Sequence, residues 1–209
     1  MLATTAAPTL TVLRSASARF TELGNVDRSW NRYAEATAPA IDLSLAEHRE
    51  ATLTWLNSWA CRIPRGPGFG DGVAAWWSTL DLPAAAGLLS LSDSEADAIG
   101  VAFDGLAEIR VGRRRVGPTA AAKLLYALRP HGIMPWDAAI AGWLHGARDG
   151  RAFAAHQKLG RDWARTLVEA TGTAEEQLPQ LIGRPSVSLA KLLDEYTYLI
   201  ANNRMAPAG

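Results

Sequence analysis

The sequence predicts an all-α protein, and three observations carry that reading. Apolar residues recur at i, i+3, i+4 and i+7 in one segment after another, the stripe that a core-facing helix needs. Helix-start signals stand ahead of several stripes. No pair of segments alternates with the period of two that paired strands require. Roughly eight or nine helices are expected, packed helix on helix.

In chain order, residues 1–21 carry Arg14 and Arg19 but no acid. That faintly suggests a transit peptide. With no basic stretch ahead of Leu2, a secretory signal is not expected, and the plainer reading is a frayed start running into a first helix. Thr52, Trp55, Leu56 and Trp59 form the next stripe, with Ser44 and Glu47 spaced as a capping box upstream. Gly66 to Gly72 then breaks the pattern, with Gly or Pro at five of seven positions. This reads as a loop, and as a hinge between a lobe of residues 1–66 and one of 67–209, unless the whole is one compact domain. It lacks the Lys-Ser/Thr and the preceding strand of a phosphate-binding P-loop.

Ser92 and Glu95 open the stripe Ala96, Ile99, Gly100 and Phe103. Two more follow, at Ala121, Leu124, Leu125 and Leu128 and at Ile140, Trp143, Leu144 and Ala147. Thr173 and Glu176 suggest another helix start, and Pro185 a break. The longest stripe runs through Leu189, Leu192, Leu193, Tyr196, Leu199 and Ile200.

Composition narrows the function classes. The 209 residues hold 21 Lys+Arg and 21 Asp+Glu, so a strongly basic nucleic-acid protein is excluded by net charge. Cys61 is the only cysteine, which rules out an internal disulfide and any four-cysteine zinc or iron–sulfur centre. No apolar run approaches the roughly 20 residues of a membrane helix, so no membrane partner is expected and a cytoplasmic location is. The four histidines show no metal-binding spacing, and no metal or other cofactor is implied.

Charge is nonetheless unevenly placed. Residues 93–108 hold five acids and no base, whereas residues 110–129 hold Arg110, Arg113, Arg114, Arg115, Lys123 and Arg129 and no acid. The intervening Val111-Gly-Arg-Arg-Arg-Val-Gly117 reads as a tight hairpin between helices, with Pro118 suited to a first helical position. Backbone N–H groups at that helix start, flanked by arginines, make a candidate phosphate site. A solvated basic turn neutralised by the neighbouring acidic helix accounts for the same residues equally well. In the second helix Thr119, Lys123 and Tyr126 are expected opposite the buried stripe. A proline-containing loop from Pro130 to Pro135 then leads to Asp137, placed as the N-cap of the next helix.

This arrangement resembles the helix-hairpin-helix DNA glycosylase superfamily. Val116-Gly117, Thr119-Ala120, the loop Pro130 to Pro135 and Asp137 match its pattern, and Thr119 stands 18 residues before Asp137, as family spacing has it. The likeness rests on roughly 30 of the 209 residues. It implies a two-lobed helical fold and duplex DNA as partner, one base being flipped into a cleft. Asp137 would then stabilise the cationic sugar left as the base departs, and would orient the attacking water. The hairpin residues Arg113, Arg114, Arg115 and Gly117, with Thr119 and Lys123, would hold the strand. Trp136, Tyr126, Trp76, Trp77 and His131 would line the base pocket. Trp55, Trp59 and Trp143 are assigned to the core.

Departures from the pattern shape the expected chemistry. Arg115 replaces the hairpin's first glycine, and Pro118 stands where bifunctional members carry a Schiff-base lysine. Lys123, five residues further along the helix, faces elsewhere. A monofunctional DNA-base N-glycosylase is therefore the leading expectation. A non-catalytic nucleic-acid-binding module is the first alternative, and a glycosylase-like scaffold recruited to small-molecule chemistry or protein interaction is the second.

Overall fold

The computed structural model describes residues 6–23, 26–82 and 86–207. Among these it is mostly helical. The elements are α1 (Leu10–Thr21), α2 (Val26–Ala36), α3 (Ala46–Ser58), α4 (Pro67–Ser78), α5 (Asp93–Ala107), β1 (Arg110–Val111), β2 (Arg114–Arg115), α6 (Pro118–Leu128), α7 (Ala138–Leu144), α8 (Gly150–Thr171), α9 (Leu178–Ile182) and α10 (Leu189–Ala201). None is long and apolar enough to cross a membrane.

Two cores organise these helices. The first gathers Tyr33 of α2, Trp55 and Leu56 of α3, Phe103 of α5, Leu124 and Leu125 of α6, Ile140 of α7 and Phe153 of α8. The second joins Leu13 and Phe20 of α1 to Trp163 and Leu167 of α8 and to Leu192, Leu193 and Tyr196 of α10. The N-terminal helix therefore packs on the C-terminal one. Helix α8 is long enough, at 22 residues, to enter both cores.

Close approach of α5 and α8 depends on two glycines. A Cβ on Gly100 would run into the Gly150 carbonyl oxygen, and one on Gly150 into that of Gly100. The Gly150 N–H also donates to Asp104 Oδ1 at 2.6 Å, so an orphan donor of the α8 N-terminus is satisfied by the neighbouring helix.

Several sequence expectations need correction. The glycine-rich stretch is not all loop: α4 begins at Pro67 and carries Gly68, Gly70 and Gly72 within it. The helix forms despite its glycines, and Gly72 leaves room for close packing, since a Cβ there would collide with Ile109 beside the hairpin. Ser44 and Glu47 form no capping box. Helix α3 starts at Ala46 behind Leu45, which gives no side-chain cap. The Ser44 N–H instead donates to Asp42 Oδ1 at 2.9 Å, an Asx turn. Near Thr173 a helix does begin, as a 3-10 turn at Glu175–Gln177 that runs directly into α9, with Ala174 and not Thr173 at the cap position. One strand pair does exist, two residues long, with Arg110 opposite Arg115 and Val111 opposite Arg114. Ser92 and Glu95, by contrast, form both halves of a capping box.

Candidate functional site

The hairpin between α5 and α6 is held by its backbone. Gly112 takes φ +62° at the turn, a conformation open to glycine at little cost. The Val116 N–H donates to the Ile109 carbonyl and the Gly117 N–H to the Ala107 carbonyl, each at 2.9 Å. That last bond corrects one expectation: the Gly117 N–H closes the end of α5 and does not face a phosphate. The arginines are also partly engaged. Arg114 donates to the Arg62 carbonyl at 3.2 Å, and Arg115 pairs with Glu108, both side chains being more than half exposed. Arg113 is exposed at the turn. Thr119 Oγ1 accepts from Arg148 at 3.3 Å, which brings a further guanidinium to the start of α6.

Beyond α6 the chain dives inward. Gly132 to Trp136 is buried throughout, and α8 pins it there. Gln157 accepts from the Met134 N–H at 2.8 Å and donates to the Met134 carbonyl at 3.0 Å. His156 Nε2 lies 3.1 Å from the Pro135 carbonyl, which can only accept, so Nε2 carries the proton. His156 Nδ1 is then the acceptor for His145 Nε2 at 3.1 Å. Burial keeps both rings neutral, pulling His156 down to about 3 and His145 to about 4.

This packing corrects the reading of Trp136. It is 1% exposed, edge-on to Phe103 and Phe153 with the two histidines tilted against it. It is a core residue. Trp76 and Trp77 are half-buried against the first core, with Trp76 Nε1 donating to the Ala102 carbonyl at 3.1 Å. Neither lines the cavity described next.

Asp137 begins α7 as a cap. Its Oδ1 accepts the Ile140 N–H at 2.9 Å, and the side chain is half-buried. It is not among the residues that wall the cavity. It does stand near enough for its charge to act on the Lys123 ammonium.

A cavity of about 150 Å³ lies between α2, α3, α6 and α10. Trp30, Trp55, Trp59 and Tyr126 supply its aromatic walls, Pro130, His131 and Pro135 the loop side, and Ser188, Lys191 and Asp194 the opposite side. Trp30 ties the wall together, with ring centroids 5.7 Å from Trp55 and 5.6 Å from Tyr126. Lys123 points its Nζ at the Trp59 face, 4.3 Å from the centroid, a cation–π contact. Burial pulls its ammonium below the ordinary lysine value, partly opposed by the Asp194 carboxylate.

Its neighbour Lys191 behaves differently. Burial acts to lower it too, but Asp194 at 2.6 Å and Glu195 outweigh that and raise it. Burial also pushes the Tyr126 hydroxyl up to about 12. So Lys123 and Tyr126 do not lie on an outer face: α6 is covered nearly all round. Sequence reasoning missed Trp30, Lys191 and Asp194; Trp55 lies in the first core as expected and Trp59 packs half-buried against it, while both also edge the cavity.

The hairpin and the cavity are joined through the chain after α3. Trp59 walls the cavity, and three residues later the Arg62 carbonyl receives Arg114. No protein-family model matches this chain, and neither curated proteins nor solved structures yield a match.

Proposed function

We propose that this protein binds nucleic acid and receives one unstacked base in the aromatic cavity. The observation that carries the reading is that cavity: four aromatic side chains beside a lysine whose ammonium rests on one of their faces. Its size suits a single planar ring, since an apolar cavity of roughly 150 Å³ admits benzene. Every base offers a π-face, and stacking on aromatic side chains contributes about 1–3 kcal/mol per base.

The basic hairpin is the second support. Arg113 is exposed at the hairpin turn, Arg114 on its second strand reaches the Arg62 carbonyl, and Arg148 bonds Thr119 at the start of α6. The exposed Arg115–Glu108 pair is of the weak surface kind, so a phosphate can take over its guanidinium. A neutral protein with one basic rim binds weakly and loses affinity with salt.

Fluorescence anisotropy with a labelled single strand, and with a duplex bearing one mismatched base, tests this reading. Roughly three phosphate contacts predict a log–log salt slope of about −2 on single strands. Reversing charge at Arg113 and Arg114 should abolish binding, and Trp59→Leu should weaken it at least tenfold. Absence of binding to either nucleic acid at low salt overturns the reading.

A second reading, hydrolysis of the N-glycosidic bond through Asp137, is favoured by one observation: the half-buried carboxylate lies within electrostatic reach of Lys123. It would make the protein a DNA N-glycosylase of the helix-hairpin-helix type, without lysine-dependent strand cleavage. Asp137→Asn separates the two readings. Loss of base release with binding retained supports the enzyme, and equal behaviour of mutant and parent leaves a binding module.

A further inference from the structure

We infer that Lys123 is a nucleophilic amine, and that the cavity condenses it with single-ring aromatic aldehydes to form an imine. Such chemistry goes beyond base binding and needs no nucleic acid.

The chain has three lysines, and their surroundings differ. Lys158 is ion-paired with Asp97 at 2.8 Å. Lys191 is clamped by Asp194 at 2.6 Å, with Glu195 at 4.0 Å. Lys123 is half-buried and lines the cavity. Its Nζ rests on the Trp59 face, 4.3 Å from the centroid, and among the described residues no hydrogen bond holds it.

An amine attacks through its unprotonated lone pair, and a lysine gains that form by desolvation or beside another cation. Lys123 has both. Burial lowers its proton affinity most; Asp194 opposes that, Lys191 adds to it, and Cys61 and Asp137 oppose it more weakly. The balance stays below the ordinary lysine value, whereas Lys191 is raised. Of the two lysines at this cavity, one is kept charged and the other is eased toward the free base.

Aromatic walls set the class of carbonyl. Trp30, Trp59 and Tyr126 offer faces on which one planar ring can stack. An aromatic aldehyde carries its electrophilic carbon directly on such a ring. No fixed entry pose is needed, because reversible binding samples orientations and bond formation selects the one that brings the carbonyl carbon to Nζ.

The ammonium first gives up a proton, and its lone pair then attacks the carbonyl carbon as the C–O π bond opens to a carbinolamine. The carbonyl oxygen takes one proton from the attacking nitrogen and the one released before, and leaves as water. The nitrogen keeps its third hydrogen and ends as a protonated imine. It carries one positive charge before and after, so the Trp59 face supports product as it supported the ammonium. No electron donor or acceptor is required.

The test exposes the full chain to benzaldehyde or propanal at neutral pH, traps imines with cyanoborohydride, and maps the modified amines by digestion and mass spectrometry. Lys123 should be labelled by benzaldehyde at least about tenfold faster than Lys158, since each unit of pKa depression gives about tenfold more free amine. The ratio of Lys123 to Lys158 labelling should be several-fold higher with benzaldehyde than with propanal. Lys123→Arg should end labelling on α6 and leave Lys158 unchanged. Equal labelling of Lys123 and Lys158, or a ratio no higher with benzaldehyde than with propanal, overturns the proposal and leaves base binding to its own test. Should the variant not fold, the two ratios on the native protein decide alone.

Discussion

Lys123 and Trp59 form a contact between the middle of α6 and the residue that closes α3, with the ammonium 4.3 Å from the ring centroid. The contact explains how a lysine sits on a helix that is otherwise covered by apolar packing. The aromatic face offsets part of the desolvation that a carboxylate would normally offset, by roughly 0.5–2 kcal/mol. The remainder shows as the lowered proton affinity of the amine. A lysine held this way is costly to the fold and useful to a ligand.

The capping role of Asp137 gives a stability prediction independent of any activity. Asp137→Ala removes the acceptor for the Ile140 N–H and should cost about 1 kcal/mol. Asp137→Asn keeps an acceptor in place and should cost only a few tenths by the same reasoning. Urea denaturation of both variants checks this. Equal stability of the alanine variant and the parent would remove the cap.

The two histidines predict how stability responds to acid. Both are held neutral in the fold, at about 3 for His156 and about 4 for His145, against an unfolded value near 6.5. Below about pH 6.5 the unfolded chain takes up protons that the fold refuses, so it binds more protons and gains. The contribution is complete above that pH and is lost as pH falls toward 3. His156 alone sets a slope of about 1.4 kcal/mol per pH unit. His145, more exposed, adds less because solvent screens it. Urea midpoints between pH 7 and 5 should fall accordingly, and a flat profile over that range would contradict the buried neutral pair.

Glu175 ties the chain ahead of α5 to the turn ahead of α9. Its two oxygens accept the Leu88 N–H at 2.8 Å and the Leu89 N–H at 2.9 Å. Glu175→Ala leaves both donors unmatched and should destabilise the fold by about 1.5–3 kcal/mol. Amide exchange at Leu88 and Leu89 should accelerate more than at neighbouring residues. Unchanged exchange at both would show that the clamp is not formed in solution.

Much of the helical frame was legible in the sequence, because the burial period and the Ser92/Glu95 box are local signals. Buried residues Ala96, Ile99, Gly100 and Phe103 follow their stripe, as do Leu189, Leu192 and Leu193. What misled was tertiary context. Gly72 marks a close approach inside a helix and not a loop, since Ile109 fills the space a side chain would need. Trp136 is in the core because His145, His156 and Phe153, distant in sequence, close around it. The cavity was not legible for the same reason: Trp30, Trp59, Lys123 and Asp194 belong to four separate elements. A surplus of tryptophan was the one hint, and spacing alone could not sort walls from core.

Indole Nε1 resonances test the base-receiving cavity most directly. The protein has eight tryptophans, each giving one such signal in a nitrogen–proton correlation spectrum. On titration with uridine, the signals of Trp30, Trp55 and Trp59 should shift, while those of Trp136 and Trp163 stay in place. Shifts confined to other indoles, or none at saturating nucleoside, would contradict the account.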